Sequence, residues 1–291
     1  MDLTTLVYDE AADRLYGGAG GRVFVRNGSG PMNPIGLPGD PETGNQTTKW
    51  PDSSAIAWTK LNRVTLAWNA QESAVLFAAV HQHTSTGAEH LFGIYRSDDQ
   101  GKTWNVVAEA PAPPAKASGI FGEPQADYGL VLARSPTNLD VLFLGIVSLQ
   151  RSADRGKKWL VVAGTHREGA QEAEGEETKT EPSPADPSSS ASRSTADAIH
   201  DDQHVMAFGP GGVAWLGNDG GLWRSDDDGV TWHHRNRGLA TMQLYAGAAH
   251  PDVAALAIAG AQDNGTQGYE AHPLWRRTEG GDGGPVCLDA R

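Results

Sequence analysis

The octapeptide SDDDGVTW occupies residues 225–232, and two other stretches have the same pattern, SDDQGKTW at 97–104 and SADRGKKW at 152–159. All three fit S-x-D-x-G-x-T-W, with lysine in place of threonine in the second copy along the chain. Each copy follows a predicted strand (FGIYR, VSLQR or GLWR) and leads into another (WNVV, WLVV or WHHR). Such a recurrence indicates an internal repeat, and the fold can be predicted from the repeat rather than from any one copy.

Within each copy the residue types are those of a tight hairpin turn. An aspartate side chain can accept hydrogen bonds from the backbone of its own turn, and glycine supplies a positive φ. The tryptophan can bury a large apolar surface. We therefore predict structural roles for the four positions that recur in all three copies: Ser97, Asp99, Gly101, Trp104, Ser152, Asp154, Gly156, Trp159, Ser225, Asp227, Gly229 and Trp232.

The three consecutive aspartates of the last copy allow a second interpretation, a calcium loop. An EF-hand loop ends in a glutamate, and none stands at the required position. We therefore expect Asp226 and Asp228 to be solvated turn residues.

The apolar runs around the repeat are short and rich in β-branched and aromatic residues, as in RVTLAWNAQ, VLFAAV and VLFLGIV. Turn residues separate them, which is typical of antiparallel strands. Four strands accompany each copy, and four strands make one blade of a β-propeller. The sequence therefore predicts an all-β propeller of four-stranded antiparallel blades.

Five blades are visible, and residues 285–290 (PVCLDA) are predicted to be the first strand of a sixth. Blade 1 spans roughly 3–60, with a degenerate repeat at RNGSG and a last strand near Ala57 and Trp58. Blade 5 runs from about Leu244 to Arg277, with Trp275 in its last strand. A propeller closes to protect its edge strands, so the ring is predicted to be incomplete and the chain truncated at its C-terminus. A five-bladed ring closed by the last strand is the alternative.

The domain prediction is a single propeller over residues 1–291, interrupted at 167–197. That insert has eight acidic and three basic residues among Ser, Pro, Ala and Thr, so we expect a disordered loop. The smaller Gly/Pro/Asn-rich stretch 27–52 is expected to be a loop within blade 1.

Composition excludes several classes of protein. The formal net charge of −13 argues against nucleic acid as the main partner, since that ligand requires a basic surface. The single cysteine, Cys287, rules out an intramolecular disulfide framework. No segment has the apolar length of a membrane span, and no signal peptide is visible. We expect no cofactor and no metal site.

Strand order separates the two faces of the predicted disc. Turns between the third and fourth strands carry the repeat, whereas turns between the second and third strands, and the connections between blades, lie on the opposite face. Polar, glycine-flanked segments fall on that second face. We expect catalytic roles for Asp219, Asp263 and Asp282, and substrate-binding roles for His200, Asp202, His204, Asn218, Gln262 and Asn264.

The repeat resembles the Asp-box, or BNR, repeat of the sialidase-like β-propellers. The motifs HDDQHVM, GNDGG, QDNGT and GGDGG, in this order, are similar to those of the branch that includes xyloglucan-cleaving endoglucanases and sortilin-type propellers. The resemblance covers residues 199–289 well and 60–160 loosely. It implies a protein that acts on or binds carbohydrate, a polysaccharide or glycan, and an extracellular or periplasmic location.

Two classes of function stay open. A glycoside hydrolase needs two carboxyl groups at a defined separation, and two of the three aspartates, on adjacent loops, could meet it. The other interpretation is that these Asp-Gly segments are only tight turns. True sialidase activity is disfavoured, because the family's arginine motif is missing and RVFVRNG stands in its place. The alternative is a non-catalytic propeller that binds a protein or peptide or serves in assembly.

His200, Asp202 and His204 alternate, so on a strand their side chains would share one face. Two imidazoles and a carboxylate could ligate a metal, but no fourth ligand is evident, and a hydrogen-bonded loop is favoured. Trp215 and Trp223 could stack on sugars, although core packing within the blade is the commoner use of such residues.

Overall fold

The computed structural model describes residues 3–35, 61–83, 89–109, 119–123, 125–163, 199–239, 242–271 and 275–288. They form five antiparallel four-stranded sheets, each a simple meander, which confirms the predicted propeller blades. The 20 strands occur in chain order, four to a blade. The described residues include short 3-10 turns and no helix long and apolar enough to cross a membrane.

The strands of blades 1 and 2 are β1 (Leu3–Asp9), β2 (Arg14–Ala19), β3 (Arg22–Asn27), β4 (Asn33–Pro34), β5 (Leu61–Trp68), β6 (Leu76–His83), β7 (Glu89–Ser97) and β8 (Asn105–Glu109). Those of blade 3 are β9 (Val131–Arg134), β10 (Leu142–Gly145), β11 (Leu149–Ser152) and β12 (Leu160–Ala163). Blades 4 and 5 contain β13 (Gln203–Phe208), β14 (Ala214–Asn218), β15 (Gly221–Ser225), β16 (His233–His234), β17 (Leu244–Ala249), β18 (Leu256–Ala261), β19 (Gly265–Glu270) and β20 (Arg276–Glu279).

The core lies between the blades. One cluster of buried side chains joins blades 1 and 2 around Tyr16 and Tyr95, and a second joins blades 2 and 3 around Phe77 and Leu142. A third joins blades 3 and 4 around Phe143. Blades 2 and 3 thus bury both of their faces against neighbouring blades, which explains why their central strands are continuous apolar runs.

The three repeats are hairpin turns closed by their own side chains. In the copy at 225–232, the Ser225 hydroxyl donates to Asp227 Oδ1 at 2.8 Å and accepts the Gly229 amide at 2.9 Å. Asp227 also accepts the amide and the hydroxyl of Thr231, at 2.9 and 2.6 Å. The copies at 97–104 and 152–159 have the equivalent serine and aspartate bonds.

One residue of the aspartate run differs from the prediction. Asp226 is an exposed turn residue, as expected, and is paired with Arg224. Asp228 is not solvated as we expected, since its carboxylate accepts the Ser135 hydroxyl at 2.7 Å and its carbonyl accepts Arg151 Nε at 2.7 Å. Both partners belong to blade 3, so this residue ties blade 4 to its neighbour.

The structure near both ends of the chain also differs from the prediction. Blade 1 takes its outer strand from Asn33–Pro34, directly after the RNGSG turn, because these residues pair with Phe24 and Val25 of β3. The predicted strand near Ala57 and Trp58 lies outside the described residues, as does the insert at 167–197. Residues 282–288 have no strand assignment, although Gly283 donates its amide to Ala261 at 2.9 Å. A first strand pairs only with the second strand of its own blade, and the described residues contain no such partner for 285–288.

Candidate functional site

The polar segments singled out from the sequence lie on one face of the disc. Asn218–Gly221 joins β14 to β15, and residues 262–264 join β18 to β19. Residues 199–202 lead into β13, and 280–284 follow β20. We call this the site face, and the face that carries the three repeats the box face. The antiparallel meander places second-to-third turns and inter-blade connections together, as predicted.

Asp219 lies at the centre of the site face. Its Oδ1 is 2.6 Å from His204 Nε2, and its Oδ2 accepts the Tyr128 hydroxyl at 3.1 Å. The two partner rings meet edge to face, with centroids 4.8 Å apart. The Asp219 side chain is only 14% exposed, so these polar contacts replace much of its hydration.

Asp263, on the adjacent turn of blade 5, has a different environment. Burial, followed by the charges of Asp282 and Asp219, raises the pKa of its carboxyl group, and contacts with both of those carboxyl groups add to the effect. Its amide donates to Asp282 Oδ1 at 2.8 Å, and its carbonyl lies 2.8 Å from His200 Nε2. Asp263 therefore retains a proton to a higher pH than an ordinary aspartate does.

Among the carboxyl groups of the site face, Asp202 has the largest shift in pKa. Burial, with additional repulsion from Asp219, Asp201 and Asp263, raises its pKa to about 6. Its φ is +63° and β13 begins one residue later, so residues 200–204 do not form a continuous strand. The expected common face of His200, Asp202 and His204 is therefore wrong: His204 contacts Asp219, whereas His200 contacts the turn of blade 5. Among the described residues, no group of three His, Cys, Asp or Glu side chains converges on a metal position.

Asn218 holds these loops together. Its Nδ2 donates to the His200 carbonyl at 2.8 Å and to Gln203 Oε1 at 3.2 Å. Its Oδ1 accepts the Gly220 amide at 3.1 Å and Trp223 Nε1 at 2.9 Å. The side-chain amide predicted to bind substrate is thus engaged within the protein. Trp223 is 6% exposed and belongs to the core, as the commoner use of such a residue predicts.

A pocket of about 230 Å³ opens between blades 4 and 5 beside these groups. Five residues expected at the site contribute to its lining, together with two that sequence reasoning missed: Asn218, Asp219, Gln262, Asp263, Asn264, and the additional Tyr128 and Gln243. Tyr128 and Gln243 lie within the three residues that precede a first strand, as His200 and Asp202 do. Applying the connection rule to every blade would have found both.

A comparison with models of known protein families supports the assignment of the repeat. The model of the BNR/Asp-box repeat matches residues 95–106. No curated protein sequence matches the chain. Among solved structures, a GH74 enzyme from Niastella koreensis is 14% identical with a TM-score of 0.47, and the match covers 95% of this chain and 37% of that enzyme.

Two further solved structures are similar to a comparable degree. The GH74 xyloglucanase from Xanthomonas campestris is 18% identical with a TM-score of 0.45, covering 97% of this chain and 39% of the enzyme. YCF48 from Cyanidioschyzon merolae is 12% identical with a TM-score of 0.40, covering 96% and 69%. The chain thus spans little more than a third of the length of the two GH74 enzymes. The chain carries the predicted Asp-box repeat, and its five four-stranded sheets are the blades of a β-propeller.

Proposed function

We propose that the pocket on the site face binds a neutral saccharide. The observation that carries this proposal is the lining, in which carboxylate, amide and phenol groups from adjacent loops converge, with no lysine or arginine among the described lining residues. Such groups can accept and donate hydrogen bonds together, as the vicinal hydroxyl groups of a sugar require. The placed polar groups of such a concavity can also fix the orientation of a bound ligand.

The charge of the pocket argues against acidic sugars. A sugar carboxylate is recognised best by the bidentate guanidinium of arginine, and this lining supplies carboxyl groups instead. Burial and the charge of Asp219 raise the pKa of Tyr128 to about 12, so its phenol stays protonated and is a poor nucleophile. Both features support a ligand other than sialic acid.

Hydrolysis of the bound saccharide is the second candidate, and the raised pKa of Asp263 favours it. In that role Asp263 would donate a proton to the glycosidic oxygen, while Asp219, held by His204 and Tyr128, would be the second carboxyl group of the reaction. We assign Asp282 a structural role, because its carboxylate accepts the Asp263 amide and so holds the turn between β18 and β19. The carboxyl groups of Asp219 and Asp263 contact each other, whereas glycosidases keep theirs about 5 Å apart or more. Binding is therefore the better-supported function, and hydrolysis requires Asp263 to turn away from Asp219.

The test is a polysaccharide panel with calorimetry and a reducing-sugar assay. We expect binding to at least one neutral polymer among xyloglucan, mixed-linkage β-glucan, xylan and mannan, and none to polygalacturonate. Asp219→Ala and Asp263→Ala should each weaken that binding at least fivefold, whereas Asp98→Ala, an exposed change on the box face, should not.

Each outcome decides a different part of the proposal. Binding without release of reducing ends overturns hydrolysis and leaves the binding function. Absence of binding to every neutral polymer overturns the proposal and favours the protein- or peptide-binding scaffold. Binding to polygalacturonate alone contradicts the charge argument.

A further inference from the structure

Two exposed tyrosines flank the aspartates of the site face. Tyr128 is 49% exposed and lies in the connection that leads into β9 of blade 3. Tyr245 is 53% exposed and lies in β17 of blade 5. The turn that carries Asp219 belongs to blade 4, between them. By contrast, Tyr16 and Tyr95 are fully buried within the core.

Both phenols share the electrostatic environment of the pocket. Partial burial and then Asp219 raise the pKa of Tyr128, with a smaller contribution from Asp263. Partial burial, Asp282 and Asp263 raise the pKa of Tyr245. Asp263 therefore lies within electrostatic reach of both rings, and both rings stay neutral at physiological pH. Tyr128 lines the pocket, and Tyr245 follows the lining residue Gln243 by two positions, at the start of β17. The two tyrosines therefore belong to the blades on either side of the turn that carries Asp219.

We propose that Tyr128 and Tyr245 are aromatic platforms for two pyranose rings of one saccharide chain, one on each side of the Asp219–Asp263 pair. The inference rests on the proposed function and adds the path of the ligand, which crosses blade 4 from blade 3 to blade 5. The C–H face of a pyranose is apolar and packs on an aromatic ring, while the phenol remains available for polar contacts. The ligand class is accordingly an oligosaccharide of several rings rather than a single sugar.

The experiment uses the whole chain and the neutral polymer that binds best in the panel, together with its oligosaccharides of two to six residues. Tyr128→Ala and Tyr245→Ala should each weaken binding of the longest oligosaccharide by about 2- to 12-fold, the range that one aromatic contact gives. Tyr245→Phe keeps the ring and should stay within about twofold of the unmodified protein. Tyr8→Ala is the matched control, because Tyr8 is 49% exposed in blade 1, away from the pocket.

Chain length gives a second measurement that a general loss of folding would not reproduce. In the unmodified protein, affinity should increase with oligosaccharide length until both platforms are occupied. In either alanine variant the increase should stop at a shorter length. Equal affinities of the alanine variants and the unmodified protein would overturn the platforms while leaving the binding function in place. If the unmodified protein binds no saccharide, the proposed function fails and this inference fails with it.

Discussion

At the scale of single residues, the three adjacent aspartates 226–228 have three different roles. Asp227 closes its own turn through Ser225 and Thr231. Asp226 pairs with Arg224 at the surface. Asp228 contacts Ser135 of blade 3. Burial alone would raise the pKa of Asp227, but the hydrogen bonds from Thr231, Ser225 and Val230 outweigh it and lower the pKa. The structural role of an aspartate in this run thus depends on the groups that its carboxylate contacts.

The first prediction compares two neighbours in this run. Asp227→Ala should lower the free energy of unfolding by about 1–2 kcal/mol, because several turn donors lose their acceptor. Asp226→Ala should change it by less than about 0.5 kcal/mol, because an exposed ion pair contributes little. Urea unfolding followed by tryptophan fluorescence measures both. Equal effects would contradict the assignment of the turn to Asp227.

The second prediction concerns pH and Asp202. Its pKa is about 6 in the folded protein and 3.8 in an unperturbed chain, so folding favours the protonated form. The stabilising contribution is complete below pH 3.8 and is lost as the pH increases through 6. Asp202→Asn should therefore be more stable than the unmodified protein at pH 7.5, by about 1 kcal/mol after solvent screening.

That gain should disappear near pH 4, where Asp202 is already largely protonated. Asparagine tolerates the positive φ at this position, so backbone strain does not obscure the comparison. Thermal unfolding across this pH range gives the result, and a gain that is independent of pH would argue against a raised pKa.

At the scale of elements, the hairpin turn of each repeat also packs one blade against the next. Gly229 has a φ of +78°, and a Cβ at this position would lie 2.1 Å from Phe143 Cε1 of blade 3. Trp232, three residues later, is 2% exposed and meets the same phenylalanine ring with centroids 6.3 Å apart. Glycine is thus required here for two reasons, conformation and space.

The third prediction separates these two reasons. Gly211 has a similar φ of +72° and nothing within 4 Å of an added Cβ. Gly211→Ala should therefore cost only the conformational strain, about 1 kcal/mol. Gly229→Ala should cost about 3 kcal/mol or more, because overpacking against Phe143 adds to the same strain. Chemical denaturation of both variants gives the comparison. If the two costs were equal, the contact with blade 3 would have no energetic importance.

At the scale of the whole molecule, the junctions between blades are unequal. Clusters of buried apolar side chains join blades 1 to 2, 2 to 3 and 3 to 4. Among the described residues no such cluster joins blades 4 and 5, and Val205 of β13 is 58% exposed. Contacts across that junction include the one from His200 to the Asp263 carbonyl. The candidate site therefore lies at the junction with the least apolar packing.

The fourth prediction follows from this difference. Amide hydrogens in β17–β20 should exchange before those in β9–β12, because local opening requires less free energy where few apolar groups are buried. Hydrogen exchange with mass spectrometry on the 291-residue chain tests this. A saccharide that binds across blades 3 to 5 should slow exchange in β17 in particular. Uniform protection of all five blades would contradict the unequal junctions.

The sequence alone determined the blades, because each strand and each turn depends on local chemistry. Serine, aspartate, glycine and tryptophan at fixed spacing specify one hairpin, and its recurrence fixes the register of the strands around it. The separation into two faces follows from strand order, so Asp219, Asp263 and Asp282 could be placed together before any coordinates. The outer strand of blade 1 could not, since its two residues have no strand pattern and depend on pairing with β3.

Only the tertiary structure decided how the site residues divide their roles. The pKa values of Asp202 and Asp263, and the contacts of Asp219, depend on burial and charge contributed by loops from three blades, which are far apart in sequence. Tyr128 and Tyr245 come to opposite sides of the Asp219 turn only when blades 3 and 5 lie on either side of blade 4. Local hydrogen bonding specifies the repeat, whereas the electrostatics of the pocket arise from neighbours that the fold brings together.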